Sequence, residues 1–199
     1  MSMQVRMGIA GITFAAVVGM VGLSGASELG GQNELNATVV KIAEALKKGD
    51  KQGAKKLAAV AVANKDLPTD HESLMTVFRL RTKKGLGFGP KAFLEEKNDG
   101  IRKGLGFAKE GAAELAKNHT AVETTGYWVA AVAELSIAKG WDADEAMKTK
   151  ARWKTFSEEM VNLGVAFAEA GASKNADKIR TAADKLDASC NRCHDVFNP

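Results

Sequence analysis

Residues 179–197 read IRTAADKLDASCNRCHDVF. Ile179, Ala182, Ala183, Leu186, Cys190, Cys193, His194 and Phe197 recur at spacings of three and four. That period marks one face of an α-helix and predicts an unbroken helix over Asn175–Phe197. Cys190, Cys193 and His194 thus fall on the stripe that faces a core. Positions i, i+3 and i+4 share a helix face, so two thiols and an imidazole are offered along one edge.

Cys-x-x-Cys-His is the attachment signal of a c-type haem. Each thiol can add across a haem vinyl group to give a thioether, and the adjacent imidazole can reach the iron. Three other readings compete. A thioredoxin-type redox pair expects alternating strands and helices, and nothing here alternates in that way. A structural zinc site needs four ligands, and only His71 and His119 remain as further Cys or His residues, far upstream. A disulfide between Cys190 and Cys193 would close a very small loop and stabilise little. One covalently attached haem c is the expected cofactor.

The N-terminus supports that expectation. Arg6 precedes an uncharged apolar run, Met7–Ala26, that ends in Ser24-Gly25-Ala26. This is the layout of a secretory signal peptide over residues 1–26, cleaved after Ala26. The alternative is an uncleaved membrane tether, since the run is about long enough to span a bilayer. Haem of this kind is attached outside the cytoplasm in bacteria, so a periplasmic location is expected, with no membrane association after cleavage. Removing residues 1–26 leaves 27 basic and 24 acidic side chains, a net charge of +3. The charges read as interspersed, which gives no support to nucleic-acid binding.

Three prolines, one tyrosine and abundant Ala, Lys, Glu and Leu indicate an all-α chain. Residues 27–68 are expected to form a helical hairpin. Its first helix spans Glu34–Lys48, Gly49 stops it, and Asp50 caps a second helix that runs to about Asn64 with Leu57, Val60 and Ala61 inward. Residues 69–199 are expected to form a haem-binding bundle. A short helix covers Asp70–Arg81, and longer ones cover Asp99–Asn118, Ala121–Lys139, Asp144–Ala170 and Asn175–Phe197. Trp153, Phe156, Met160, Leu163 and Phe167 stand at offsets of 0, 3, 7, 10 and 14, an a/d seam. Short connections make neighbouring helices antiparallel. The glycine-rich stretch 83–90 has no preceding strand and no Lys-Ser/Thr after it, so it reads as a tight loop rather than a phosphate cradle.

A haem motif near the C-terminus of a helical bundle resembles the class II cytochromes c, the cytochrome c′ family. Residues 183–197 are similar to that family's final helix, and the helix containing Trp153-Lys154-Thr155-Phe156 is similar to its third. The resemblance covers about residues 120–199, extends back to about residue 69, and leaves the hairpin at 34–64 as an addition. It implies an antiparallel four-helix bundle in which Cys190 and Cys193 hold the haem and His194 is the proximal iron ligand. Members often carry a basic residue four positions after that histidine. Here the position is Asn198, a departure that bears on how the imidazole is polarised.

The same resemblance divides function on the distal side of the iron. A methionine there gives a six-coordinate iron suited to electron transfer, whereas an apolar residue leaves the iron open to NO or CO. Met75 is the candidate sixth ligand, with core packing beside Leu74 and Phe78 as the competing reading. Met160 is expected in the core, as are Trp128 and Trp153. Met147 is a weaker ligand candidate still, and His71 is expected as a cap or surface residue and His119 in solvent. The leading expectation is a monohaem electron carrier with a redox partner protein. The alternatives are a gas-binding protein, or a subunit of a larger complex docked through the hairpin. No nucleophile–base pair or carboxylate dyad marks an enzyme. Homodimers occur in the family, but no exposed stripe identifies one here.

Overall fold

The structure is a computed structural model that describes residues 24–142 and 144–197. Among them are seven α-helices and no strand: α1 (Ser24–Lys47), α2 (Lys51–Ala63), α3 (His71–Thr76), α4 (Ile101–Lys117), α5 (His119–Lys139), α6 (Lys150–Ala172) and α7 (Ala176–Phe197). Arg6, most of the run Met7–Ala26, and Asn198 lie outside the described residues. Helix α1 begins ten residues before the expected Glu34, so the candidate cleavage point after Ala26 falls in its first turn. No helix of the described residues is long and apolar enough to cross a membrane.

Helix α1 buries Leu35, Val39, Ile42 and Leu46 along one stripe. It ends in a Schellman turn: Gly49 sits at φ +76°, its N–H donates to Leu46 O, and the Asp50 N–H donates to Ala45 O, both at 2.9 Å. Asp50 then caps α2 by accepting from the Gly53 N–H at 2.8 Å. Of the expected face of α2 only Ala61 points inward. Ala54, Ala58 and Ala61 are buried, while Leu57 is 39% and Val60 71% exposed. An alanine stripe lets α2 lie close to α1 and α5, and its larger apolar side chains are left on the outer side.

Helices α4 to α7 pack antiparallel in turn. Lys109 on α4 reaches Asp187 at 3.1 Å while Arg102 reaches Asn191 at 2.5 Å, so α4 and α7 run in opposite directions. Glu159 on α6 meets Arg192 on α7 at 2.5 Å. Among the described helices the α5–α6 contact is the most extensive. A Cβ added at Gly126 would stand 2.4 Å from Ala168 N, and one at Gly164 would stand 2.8 Å from Ala130 N. These two backbones therefore touch where glycine leaves room. Helix α5 is apolar nearly all round because it packs on α6 on one side and on the α1–α2 hairpin on the other. It divides the interior into two apolar clusters, one with α1, α2 and α3, the other with α4, α6 and α7.

Helix α4 touches α5 only sparsely, and the glycine-rich loop fills the side between them. Phe88 is fully buried, packed on Gly104 of α4 and 6.5 Å from the Phe167 ring. Asp99 Oδ1 accepts from the Phe88 N–H at 3.1 Å, and Thr125 Oγ1 accepts from the Gly89 N–H at 2.8 Å. Asp99 Oδ2 lies 2.8 Å from Arg81 Nε. The loop is thus a packed plug, as its reading as a tight loop requires. Gly89 (φ +81°) has Ala121 where a side chain would go.

Two helices are shorter than their periodicity suggests. Helix α3 stops at Thr76 instead of Arg81, because the chain folds back and the Leu86 N–H donates to Val77 O at 2.9 Å. Helix α6 starts at Lys150 instead of Asp144. Asp144 Oδ1 accepts from the Lys150 N–H at 2.7 Å, and Thr149 Oγ1 from the Arg152 N–H at 3.2 Å, so the polar side chains close a turn ahead of the helix.

Candidate functional site

Helix α7 carries Cys190, Cys193 and His194 on its inner face, all three half-buried. Ile179, Ala183 and Leu186 continue that face as fully buried residues, and Ser189 beside them is 2% exposed. Cys190 packs against the cluster formed with α4, α5 and α6. Polar contacts pin α7 from both sides at this level: Arg102 of α4 donates to Asn191, and Arg192 donates to Glu159 of α6. The helix is therefore held in rotation about its axis, which fixes the edge that the two thiols and the imidazole present.

Both cysteines are free thiols. Burial pushes Cys190 up to about 11, with the neighbouring Asp187 carboxylate adding to the rise and Arg102 opposing it. Burial alone pushes Cys193 up to about 11. At neutral pH both are uncharged, unlike the low-pKa thiolates of redox Cys-x-x-Cys sites.

An aromatic group closes the bundle one turn beyond His194. Phe197 meets Trp141, Trp153 and Phe156 edge to face, at centroid distances of 4.8, 5.1 and 6.1 Å. Trp153 Nε1 donates to Ser136 O at 2.8 Å. His71 stacks on this group, 4.7 Å from Trp141 and 4.5 Å from Trp153, with Nε2 3.1 Å from Gly140 O. His71 is thus neither a cap nor a surface residue. Asp70 is the cap of α3, accepting from the Ser73 N–H at 2.9 Å. Trp141 had no signal in the sequence, since it follows Gly140 outside any periodic segment.

The methionines and the remaining histidine separate in space. Met75 is half-buried against the cluster of α1, α2 and α5, not against the cluster that receives Cys190. Phe78 touches both. Met160 lies in the Cys190 cluster, next to the Glu159 that binds Arg192. Met147 is 63% exposed. Trp128 and Trp153 are both in the core, as expected. His119 is not in solvent: it is half-buried at the start of α5, and its Nδ1 is buried without a hydrogen-bond partner.

Among the described residues no three His, Cys, Asp or Glu side chains stand together as a metal cluster. A zinc site would need four converging ligands. A c-type haem asks for something different, namely two thiols that each bond a separate vinyl group and one imidazole for the iron. The free thiols, the i, i+3, i+4 register and the apolar half-buried setting of α7 fit that group. A groove of about 450 Å³ between α6 and α7, floored by Leu163, Ala166, Ala170 and Ala182, lies further along α7 and does not include the motif. No family model, no curated protein and no solved structure matches this chain.

Proposed function

We propose that this chain is an exported, monohaem c-type cytochrome that carries electrons in the periplasm, built like the class II cytochromes c. The observation that supports this reading is the set of two free thiols and one imidazole on a single half-buried face of α7. In this reading Cys190 and Cys193 hold the haem through thioethers and His194 is its axial ligand. When bound, the haem supplies a one-electron iron couple whose potential follows its ligands and burial. The chain's own contribution is positional. The Arg102–Asn191 and Glu159–Arg192 contacts set the rotation of α7, and Phe197 with Trp141 and Trp153 shields the last turn from water. Met75 is proposed as the sixth ligand. The α1–α2 hairpin is an addition to a four-helix arrangement of α4 to α7. The protein acts with a redox partner and not as an enzyme.

The packing of Met75 against the hairpin cluster favours a second reading, in which Met75 is core and the distal side stays open to NO or CO. The visible spectrum of the reduced protein, with and without CO, separates the two. Sharp low-spin bands that ignore CO and are lost in Met75→Ala support the carrier. A broad high-spin spectrum that shifts with CO supports the gas binder. A pyridine haemochrome assay that finds no covalent haem overturns both.

A further inference from the structure

The net charge of the chain is +4, but it is not evenly spread. Residues 79–103 hold eight Lys and Arg against Glu95, Glu96 and Asp99, a net +5. The other residues, with twenty basic and twenty-one acidic side chains, sum to −1. The charges are therefore concentrated, contrary to the interspersed pattern expected from the whole sequence.

Arg81 is turned inward onto Asp99, which removes one charge of each sign from the surface. Arg79, Lys83, Lys84, Lys97, Arg102 and Lys103 are exposed. The fold gathers the two ends of this segment. Ile101 donates to Phe78 O at 3.1 Å, a Cβ at Gly100 would lie 3.2 Å from the Leu80 side chain, and Leu80, Thr82, Glu95, Glu96 and Lys97 line one surface hollow. Arg102 then reaches Asn191 at 2.5 Å, inside the Cys-x-x-Cys turn. The Arg102 end of this basic segment thus borders the edge of α7 that carries Cys190 and Cys193. Glu95 is engaged by Lys97 at 3.0 Å, and Glu96 is the one further acid exposed in the segment.

We infer that this face docks an acidic protein surface for electron exchange across the adjacent edge of α7, an inference that rests on the proposed carrier function. A concentrated charge beside a reactive edge raises the local concentration of oppositely charged partners and aligns them on encounter. Its reach is set by screening, about 30 Å at 0.01 M salt and about 3 Å at 1 M.

The test uses the haem-loaded protein and the variant Lys83→Glu/Lys97→Glu/Lys103→Glu. The reduced protein gives one electron to hexacyanoferrate(III), which leaves as hexacyanoferrate(II), or to tris(phenanthroline)cobalt(III), which leaves as the cobalt(II) complex. At low salt the variant should react about tenfold more slowly with the anionic oxidant and faster with the cationic one, the two effects vanishing at high salt. Equal changes with both oxidants, or none, overturn the inference. Retention on immobilised poly-L-glutamate, strong for the parent and lost in the variant, supports an acidic protein partner. Capture by anionic phospholipid vesicles without retention on poly-L-glutamate overturns that partner in favour of a membrane. Absence of covalent haem would overturn the carrier function, and poly-L-glutamate retention would still read the docking face by itself.

Discussion

Phe197 meets the edge of Trp153 with ring centroids 5.1 Å apart and planes at 80°. That contact ties the last turn of α7, one turn past His194, to the first turn of α6. Each ring is nearly excluded from solvent, and Trp141 and His71 complete the group. Truncating a buried phenylalanine to alanine costs about 3 kcal/mol or more through lost transfer energy and a cavity. Phe197→Ala should therefore lower stability by about 3 kcal/mol in urea unfolding. A loss below about 1 kcal/mol would mean that the aromatic group does not anchor α7.

The α5–α6 interface predicts opposite outcomes for two glycines. At Gly164 a Cβ would press on the backbone of α5, so Gly164→Ala should destabilise by about 2 kcal/mol through overpacking. Gly106 is exposed in α4 with nothing within 4 Å of an added Cβ. Gly106→Ala should stabilise by about 0.5–1 kcal/mol, since alanine loses less backbone entropy in a helix. Thermal melts of the two variants should move in opposite directions.

Asp99 holds the glycine-rich plug by two bonds at once, one to Arg81 and one to the Phe88 N–H. Asp99→Ala leaves the Arg81 Nε–H and the buried Phe88 N–H without their acceptor, with Arg81 still held by the Phe88 and Gly89 carbonyls, a loss of about 3 kcal/mol. Amide hydrogen exchange of Phe88 and Gly89 should speed up together in that variant. Exchange unchanged at Phe88 would show that the plug does not depend on Asp99.

Glu134 is buried on α5. Burial pushes its carboxyl above the usual range, Lys55 of α2 pulls it back in part, and Glu158 of α6 adds to the rise. A carboxyl whose folded pKa is raised weakens the fold as pH climbs past the unfolded value, because the folded state binds its proton more tightly. Glu134→Gln should then be more stable than the parent at pH 7, and the gain should disappear below about pH 4, where the parent is protonated in both states. A stability difference that does not vary with pH would contradict this assignment.

Much of the site could be read before the fold was seen. The stripe from Ile179 to Phe197 is one continuous helix in the structure, and its boundary moved by a single residue, because periodicity and caps act between residues within four positions of each other. The same local rules located Gly49 as the stop of α1 and Asp50 as the cap of α2. They failed where polar side chains close a turn ahead of a helix, as Asp144 and Thr149 do before α6. They also failed on α2, where periodicity favours Leu57 and Val60 but the inward face is alanine.

By itself the sequence determined that Cys190, Cys193 and His194 share a helix face, since three and four residues of helix always return to the same side. It also determined that the glycines of 85–89 form a loop, since their backbone freedom opposes a helix. The tertiary structure decided which cluster each long-range residue joins: Met75 with the hairpin, Met160 with Cys190, His71 within the tryptophans. It also brought Arg102, at the end of the basic segment 79–103, to Asn191. Those outcomes depend on contacts between residues tens of positions apart, set by how closely α5 and α6 meet at glycine and by how Phe88 holds α4 away from α5. No local period encodes such distances.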